Sequence, residues 1–144
     1  MTREPQPTRP RVYLSGPIMD EQLTTARTWR ELACAELGDR FVLLDPMRRN
    51  FRDREFDSAN EIVEFDLQDV RDADLLLVNY NRPSIGTAME VFYAAHDLGK
   101  FVVAFSPITF RDCSPWMVRY CTKILPSLGE AIAYIRRHFA TAAG

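Results

Sequence analysis

Short runs of consecutive apolar residues alternate along this chain with segments whose apolar residues recur every three or four positions. Val12-Tyr13-Leu14 is the first run, and Ser15-Gly16-Pro17 closes it with a turn signal. Leu23, Ala26, Trp29, Ala33 and Leu37 then line one face of a predicted helix that Gly38 is placed to stop. Phe41-Val42-Leu43-Leu44 reads as a second strand, ended by Asp45-Pro46. Met47 to Asp57 holds four arginines and little periodicity, and is predicted as a long loop. Loops of that length in compact domains are often functional. A second helix is predicted from Ser58 to Arg71, with Val63, Leu67 and Val70 facing inward. The strand Leu75 to Asn79, a loop from Tyr80 to Gly86 and a helix from Thr87 to Leu98 follow, with Gly99 as a natural C′ residue. Phe101 to Phe105 is a fourth strand. Beyond it the chain is irregular, with a short helix expected near Pro115 to Tyr120. Ser127-Leu128-Gly129-Glu130 reads as a capping box, opening a last helix with the stripe Leu128, Ile132, Ile135 and Phe139.

Strands that are apolar throughout are covered on both faces, and their alternation with helices implies a parallel sheet. The expected fold is α/β: a single doubly wound domain, Rossmann- or flavodoxin-like, with about five parallel strands and helices on both faces. Its 144 residues suit one domain, expected over 11–140 behind a flexible tail at 1–10 that carries Pro5, Pro7 and Pro10. Apolar residues at 47% and charged residues at 26% argue against disorder in the body of the chain. Eighteen Lys and Arg against twenty Asp and Glu leave a formal charge of −2, which disfavours nucleic acid as the partner. No apolar run is long enough to span a bilayer, and the start lacks the apolar stretch of a signal peptide. Cys34, Cys113 and Cys121 are odd in number and far apart, so no disulfide framework is expected and a cytoplasmic setting fits. His96 and His138 lack partners at ligand spacing, so no zinc site is expected.

In doubly wound folds ligands bind beyond the carboxyl ends of the strands, which directs attention to 15–19, 46–57 and 80–86. Pro83-Ser84-Ile85-Gly86-Thr87 runs into a helix, where backbone N–H groups and the helix dipole suit an anion, with the Ser84 hydroxyl as a further donor. Such a segment is more often just a turn. Glu90 has two readings. Thr87-Ala88-Met89-Glu90 matches a capping box, with Thr87 as N-cap and Glu90 at N3. Alternatively Glu90 projects into the cleft, partly desolvated beside Met89, Tyr93 and Ala94, and suited to nucleophilic or acid–base work. Asp66 lies between Val63 and Val70, on the shoulder of the predicted inner stripe, and Asp69 and Asp72 fall further round as surface or cap residues. Tyr13 is either a packed core tyrosine or a group reaching the site from the first strand. The arginines of Arg48-Arg49-Asn50-Phe51-Arg52 either form a solvated loop or hold a phosphate or cover a base.

Three segments together resemble nucleoside 2-deoxyribosyltransferases. Tyr13-Leu14-Ser15-Gly16-Pro17-Ile18 is similar to that family's opening strand and turn. Asp66-Leu67 with Ala73-Asp74 resembles its middle motif, and Gly86-Thr87-Ala88-Met89-Glu90 with Ala94 and Gly99-Lys100-Phe101-Val102-Val103 resembles its catalytic helix and next strand. The resemblance runs from about Arg11 to Phe139. It implies cleavage of the N-glycosidic bond of 2′-deoxyribonucleosides, with Glu90 as the nucleophile forming a deoxyribosyl-enzyme, Tyr13 orienting it and Asp66 facing the leaving base. Ser15, Gly16, Ile18, Ser84, Gly86, Met89 and Ser114 are the implied substrate-binding positions. No metal or cofactor is implied. An oxocarbenium-like transition state gives chemical sense to a carboxylate beneath the anomeric carbon. The sugar passes to another base, or to water in a branch of the family that hydrolyses nucleoside 5′-monophosphates.

One departure favours that branch. The transferases carry an acid six positions before the glutamate, where this chain has Ser84. The nucleotide hydrolases have serine there, and a second serine reaches in from a neighbouring subunit, for which Ser114 is the positional candidate. The resemblance therefore also implies a homodimer or higher homo-oligomer with shared sites. At the place of Tyr13, related cytidylate hydrolases that use ribonucleotides have phenylalanine. Two other readings remain at this stage: a cytokinin-type phosphoribohydrolase, which shares a Gly-Thr-X-X-Glu segment, and a non-enzymatic receiver- or flavodoxin-like module.

Overall fold

Backbone pairing turns the apolar runs into one all-parallel sheet. The computed structural model describes residues 8–18, 22–51 and 53–139. In chain order these form β1 (Arg11–Ser15), α1 (Leu23–Leu37), β2 (Val42–Leu44), α2 (Ala59–Asp72), β3 (Leu75–Asn79), α3 (Ile85–Phe92), β4 (Phe101–Phe105), α4 (Pro115–Tyr120), β5 (Lys123–Leu125) and α5 (Leu128–His138). Short 3₁₀ turns lie at Pro46–Arg48 and Phe110–Asp112. The strand order is β2-β1-β3-β4-β5. Tyr13 stands beside Leu44 on one side and Leu76 on the other. The direction of winding reverses between β1 and β3, so the crevice beyond their carboxyl ends is where such a sheet binds ligands.

Strand alternation sorts the core into two layers. Val12, Leu14, Leu75, Leu77, Val103 and Phe105 pack on α1 and α5. Tyr13, Leu76, Val78, Val102 and Ala104 pack on the other face, with Val70 of α2, Val91 of α3 and Met117 of α4. The expected doubly wound fold is the one observed. Its fifth strand, Lys123–Leu125, is a three-residue edge pairing with Val103 to Phe105, too short to show as an apolar run. Ser127 caps α5 as expected, accepting from the Glu130 amide at 3.2 Å. Gly99 takes φ +64°, the left-handed conformation that ends α3 after a wide turn at Tyr93–Asp97.

Three expectations need correction. α3 begins at Ile85, with Ser84 as N-cap, so Thr87 is not the cap and Glu90 is not at N3. Ser84 has the extended backbone of an N-cap, and its Oγ accepts from the Thr87 amide at 3.5 Å. On α2, Val63 is 52% exposed, whereas the inward stripe runs through Val70 and the buried carboxylate of Asp69. Counting only apolar residues turned that helix by about one position. Thirdly, Asp69 is not a surface residue, because Arg48 and Arg49 neutralise it. Of the predicted tail, residues 1–7 lie outside the described residues, while Arg9 donates to the Gly38 carbonyl and Pro10 accepts from the Val42 amide. Met19, Arg52, the side chain of Leu23 and the last five positions also lie outside them. Among the described residues no helix is long and apolar enough to cross a membrane.

Candidate active site

The period of two along β1 decides what reaches the crevice. Tyr13 points to the face covered by α2 and α3, and its hydroxyl donates to Glu90 Oε2. Ser15, two residues on and on the same side of the strand, donates through Oγ to Glu90 Oε1 at 2.9 Å. Both carboxylate oxygens of Glu90 are thus fixed by hydroxyl donors from one strand. A glutamate that merely capped its own helix would turn back to its first turn. This one crosses to the sheet.

The site sits on a scaffold that the sequence reading missed. Arg30 of α1 is completely buried. It donates to the carbonyls of Gly16 at 2.9 Å and Ala26 at 2.8 Å, and lies 3.8 Å from Asp45 at the end of β2. Its guanidinium stacks 4.6 Å from the Trp29 ring centre. A signal was present: Arg30 falls between Ala26 and Ala33 on the inward face of α1. Gly16 passes through this cluster. A Cβ there would lie 2.9 Å from Trp29 Cζ2 and 3.0 Å from Asn79 Cβ. Gly16→Ala is therefore expected to cost about 1–3 kcal/mol of stability, read as a lower urea midpoint at unchanged m-value.

Asp66 approaches the same crevice from α2. Arg49 Nη2 donates to Asp66 Oδ1 at 3.0 Å and to Asp69 Oδ2 at 2.8 Å, and Arg48 Nη2 donates to Asp69 Oδ1 at 2.7 Å. Two arginines of the loop are therefore engaged with α2, Arg49 mostly buried and Arg48 still exposed. The Arg49 guanidinium lies 5.2 Å from the Phe65 ring centre, and Phe65 stacks with Phe51.

Burial raises the Glu90 carboxyl from its ordinary range to about 7, and the nearby Asp66 charge adds to the rise. The hydroxyls of Tyr13 and Ser15 and the charge of Arg30 oppose it. Burial, then the Glu90 charge, raise the Tyr13 phenol well above its ordinary value, so it stays a donor. Burial also raises Asp66, against the pull of Arg49. At Asp69 burial pushes upward too, but the hydrogen bonds from Arg48 and Arg49 outweigh it and the carboxyl lies low.

The remaining sequence-predicted positions fall into separate places. Ser84 and Ser114 line one cavity of about 410 Å³, together with Tyr80, Thr87, Trp116 and Met117. Each serine caps a helix, Ser114 Oγ accepting from the Trp116 amide at 3.3 Å. Thr87 Oγ1 is buried there without a hydrogen-bond partner among the described residues. Tyr13, Asp66 and Glu90 do not line this cavity. Gly86 stands one turn before Glu90 on α3, and a Cβ there would meet nothing within 4 Å, so that flank is open. Met89 is 67% exposed, on the outer side of α3 with Ile85. Ile18 is half-buried at the end of the turn after β1. Among the described residues no group of three His, Cys, Asp or Glu is placed to hold a metal ion.

A flavodoxin-type sheet whose switch point holds a carboxylate between two hydroxyl donors defines a class of small-molecule site. The chain belongs to the nucleoside 2-deoxyribosyltransferase-like family, whose model matches residues 9–107, more than half of the chain. The match includes Tyr13, Ser15, Asp66, Ser84 and Glu90, and ends before Ser114. Among solved structures, a 2-deoxyribosyltransferase from Bacillus psychrosaccharolyticus superposes with TM-score 0.66 at 22% identity, over 86% of this chain and 91% of its own. A conserved protein of Enterococcus faecalis V583 gives 0.70 at 17%, over 90% and 99%. A CMP N-glycosidase from Clostridium botulinum gives 0.60 at 16%, over 89% and 98%. At these identities the likenesses establish the fold. No curated protein matches the sequence.

Proposed function

We propose that this protein hydrolyses the N-glycosidic bond of 2′-deoxyribonucleoside 5′-monophosphates, releasing free base and 2-deoxyribose 5-phosphate. The observation that carries the reading is the grip of Tyr13 and Ser15 on Glu90 at the switch point of the sheet. The Glu90 carboxylate attacks C1′, the C1′–N electron pair leaves with the base, and Asp66 delivers a proton to that base directly or through water. Water then attacks C1′ of the glycosyl ester, restores the Glu90 carboxylate and releases the sugar, its second proton returning to Asp66. Tyr13 beside C2′ favours substrates without a 2′-hydroxyl.

The phosphate preference rests on Ser84. It caps α3 six residues before Glu90, ~9 Å of helical rise, the scale of a sugar phosphate with its contacts. An acid there would repel a phosphate, whereas a hydroxyl and the free amides of a helix start attract one. Thr87 and Ser114 line the same cavity. The exposed apolar side chains Ile85, Met89 and Trp116 beside it fit contact with a second copy of the chain, which sedimentation velocity would report as a dimer or larger species. For the substrate, dCMP is expected to exceed deoxycytidine in kcat/KM by about tenfold or more, ~1.4 kcal/mol. Ser84→Asp should abolish that advantage. Chromatography of the products with and without an acceptor base separates hydrolysis from transfer. Faster cleavage of bare nucleosides, with the sugar passing to the acceptor, would instead make the protein a deoxyribosyltransferase.

A further inference from the structure

A single guanidinium nitrogen, Arg49 Nη2, bridges the proposed leaving-group acid and a second carboxylate. It lies 3.0 Å from Asp66 Oδ1 and 2.8 Å from Asp69 Oδ2. Asp69 is 5% exposed and also receives Arg48 at 2.7 Å, so it is a fixed anchor within α2. The arginines come from the turn that follows β2, held in turn by Asp45, which accepts from the Met47 amide at 2.8 Å and through its carbonyl from Arg48 Nη1 at 2.7 Å. Arg49 is mostly buried against Phe65. This is a built contact rather than a surface pair, and it touches only Oδ1 of Asp66.

We infer that Arg49 is a positioning residue for Asp66: anchored by Asp69, it holds Oδ1 and turns Oδ2 toward the leaving base. The inference deepens the proposed function and rests on its assignment of Asp66. The consequence is asymmetric. A base that must gain a proton to leave depends on where Asp66 points. A base already cationic, as in 7-methyl-dGMP, leaves without that proton. Among the described residues Arg49 is the cation that pairs directly with Asp66. The other charged or titratable groups that bear on Asp66 are Asp69 on α2, Arg30 on α1, Glu90 on α3 and Tyr13 on β1. Of these, Asp69 opposes ionisation of Asp66 alongside burial, so removing Arg49 leaves Arg30 as the favourable charge among the described residues.

The test uses the full chain, with the Asp66 carboxyl followed by carbon-detected NMR through a pH titration and assigned with Asp66→Asn. In Arg49→Gln the Asp66 midpoint is expected to rise by about one pH unit or more. Arg49→Lys, which restores the charge, should return it most of the way. In Arg49→Gln kcat on dGMP should fall by about tenfold with KM nearly unchanged, while 7-methyl-dGMP stays within about threefold. An Asp66 midpoint that does not move in Arg49→Gln, or an equal loss on both substrates, overturns the inference. If Arg49→Gln does not fold, Arg49→Lys carries the test, because a lysine ammonium ends short of the Nη2 position that meets both carboxylates and should lower kcat selectively on dGMP; an equal loss on the two substrates again overturns it. If the unaltered protein cleaves no deoxynucleotide, the functional reading fails, and the NMR titration still decides whether Arg49 governs Asp66.

Discussion

Glu90→Ala is expected to lower turnover by roughly a thousandfold or more, because in the proposed mechanism it removes the group that forms the covalent intermediate rather than one that assists it. The fold should survive the change. Glu90 contributes nothing to either core layer, and its partners Tyr13 and Ser15 remain within β1. Circular dichroism and a urea transition close to that of the unaltered protein would verify this. Mass spectrometry of the intact protein during turnover of a slow 2′-fluorinated deoxynucleotide should show the sugar-phosphate adduct, absent in Glu90→Ala. A variant that stays active but loses about 1 kcal/mol of stability would instead mark Glu90 as a helix-end residue. The geometry already argues against that outcome, since Ser84 and not Thr87 caps α3.

What the sequence discloses here follows from which residues declare their surroundings. Val12 to Leu14, Leu75 to Val78 and Phe101 to Phe105 are apolar at every position because both faces of the sheet are covered, so strand order aside, the architecture is readable. Tyr13 is readable for the same reason: alternation along β1 leaves it on one definite face. Polar residues inside the fold hide better. Arg30 sits on the inward face of α1 among alanines, but its role depends on the Gly16 carbonyl, which only the fold brings near. Asp69 looks solvated until Arg48 and Arg49, twenty positions earlier, arrive against it. Ser84 and Thr87 are both plausible caps three residues apart, and the extended backbone at Ser84 decides between them. Long-range ionic partners carry no periodic signature, which is why the carboxylates were identified more readily than the arginines that position them.

The pH dependence should carry the signature of a nucleophile held at a cost to the folded state. Glu90 titrates at about 7 in the folded protein, through burial first and the Asp66 charge second. Only the ionised form attacks, so kcat/KM should fall about tenfold per pH unit below 7, roughly a hundredfold by pH 5. Stability must move the opposite way. A carboxyl whose folded value lies above its unfolded value binds its proton more tightly when folded. Its favourable contribution is complete below the unfolded value and is lost as pH rises through about 7. From 4.5 to about 7 is a span of about 2.5 units, or about 3 kcal/mol at most. Glu90→Gln cannot ionise and keeps one oxygen to accept from Tyr13 or Ser15. It should therefore be more stable than the unaltered protein at pH 8, by about 1–2 kcal/mol once the weakened hydroxyl contacts are subtracted. Well below pH 4.5, where Glu90 is protonated in both states, the two proteins should unfold at nearly the same urea concentration. A stability gap that does not widen between pH 5 and pH 8 would show that the Glu90 carboxylate is solvated, and would remove the physical reason for placing the acidic limb of activity near neutrality.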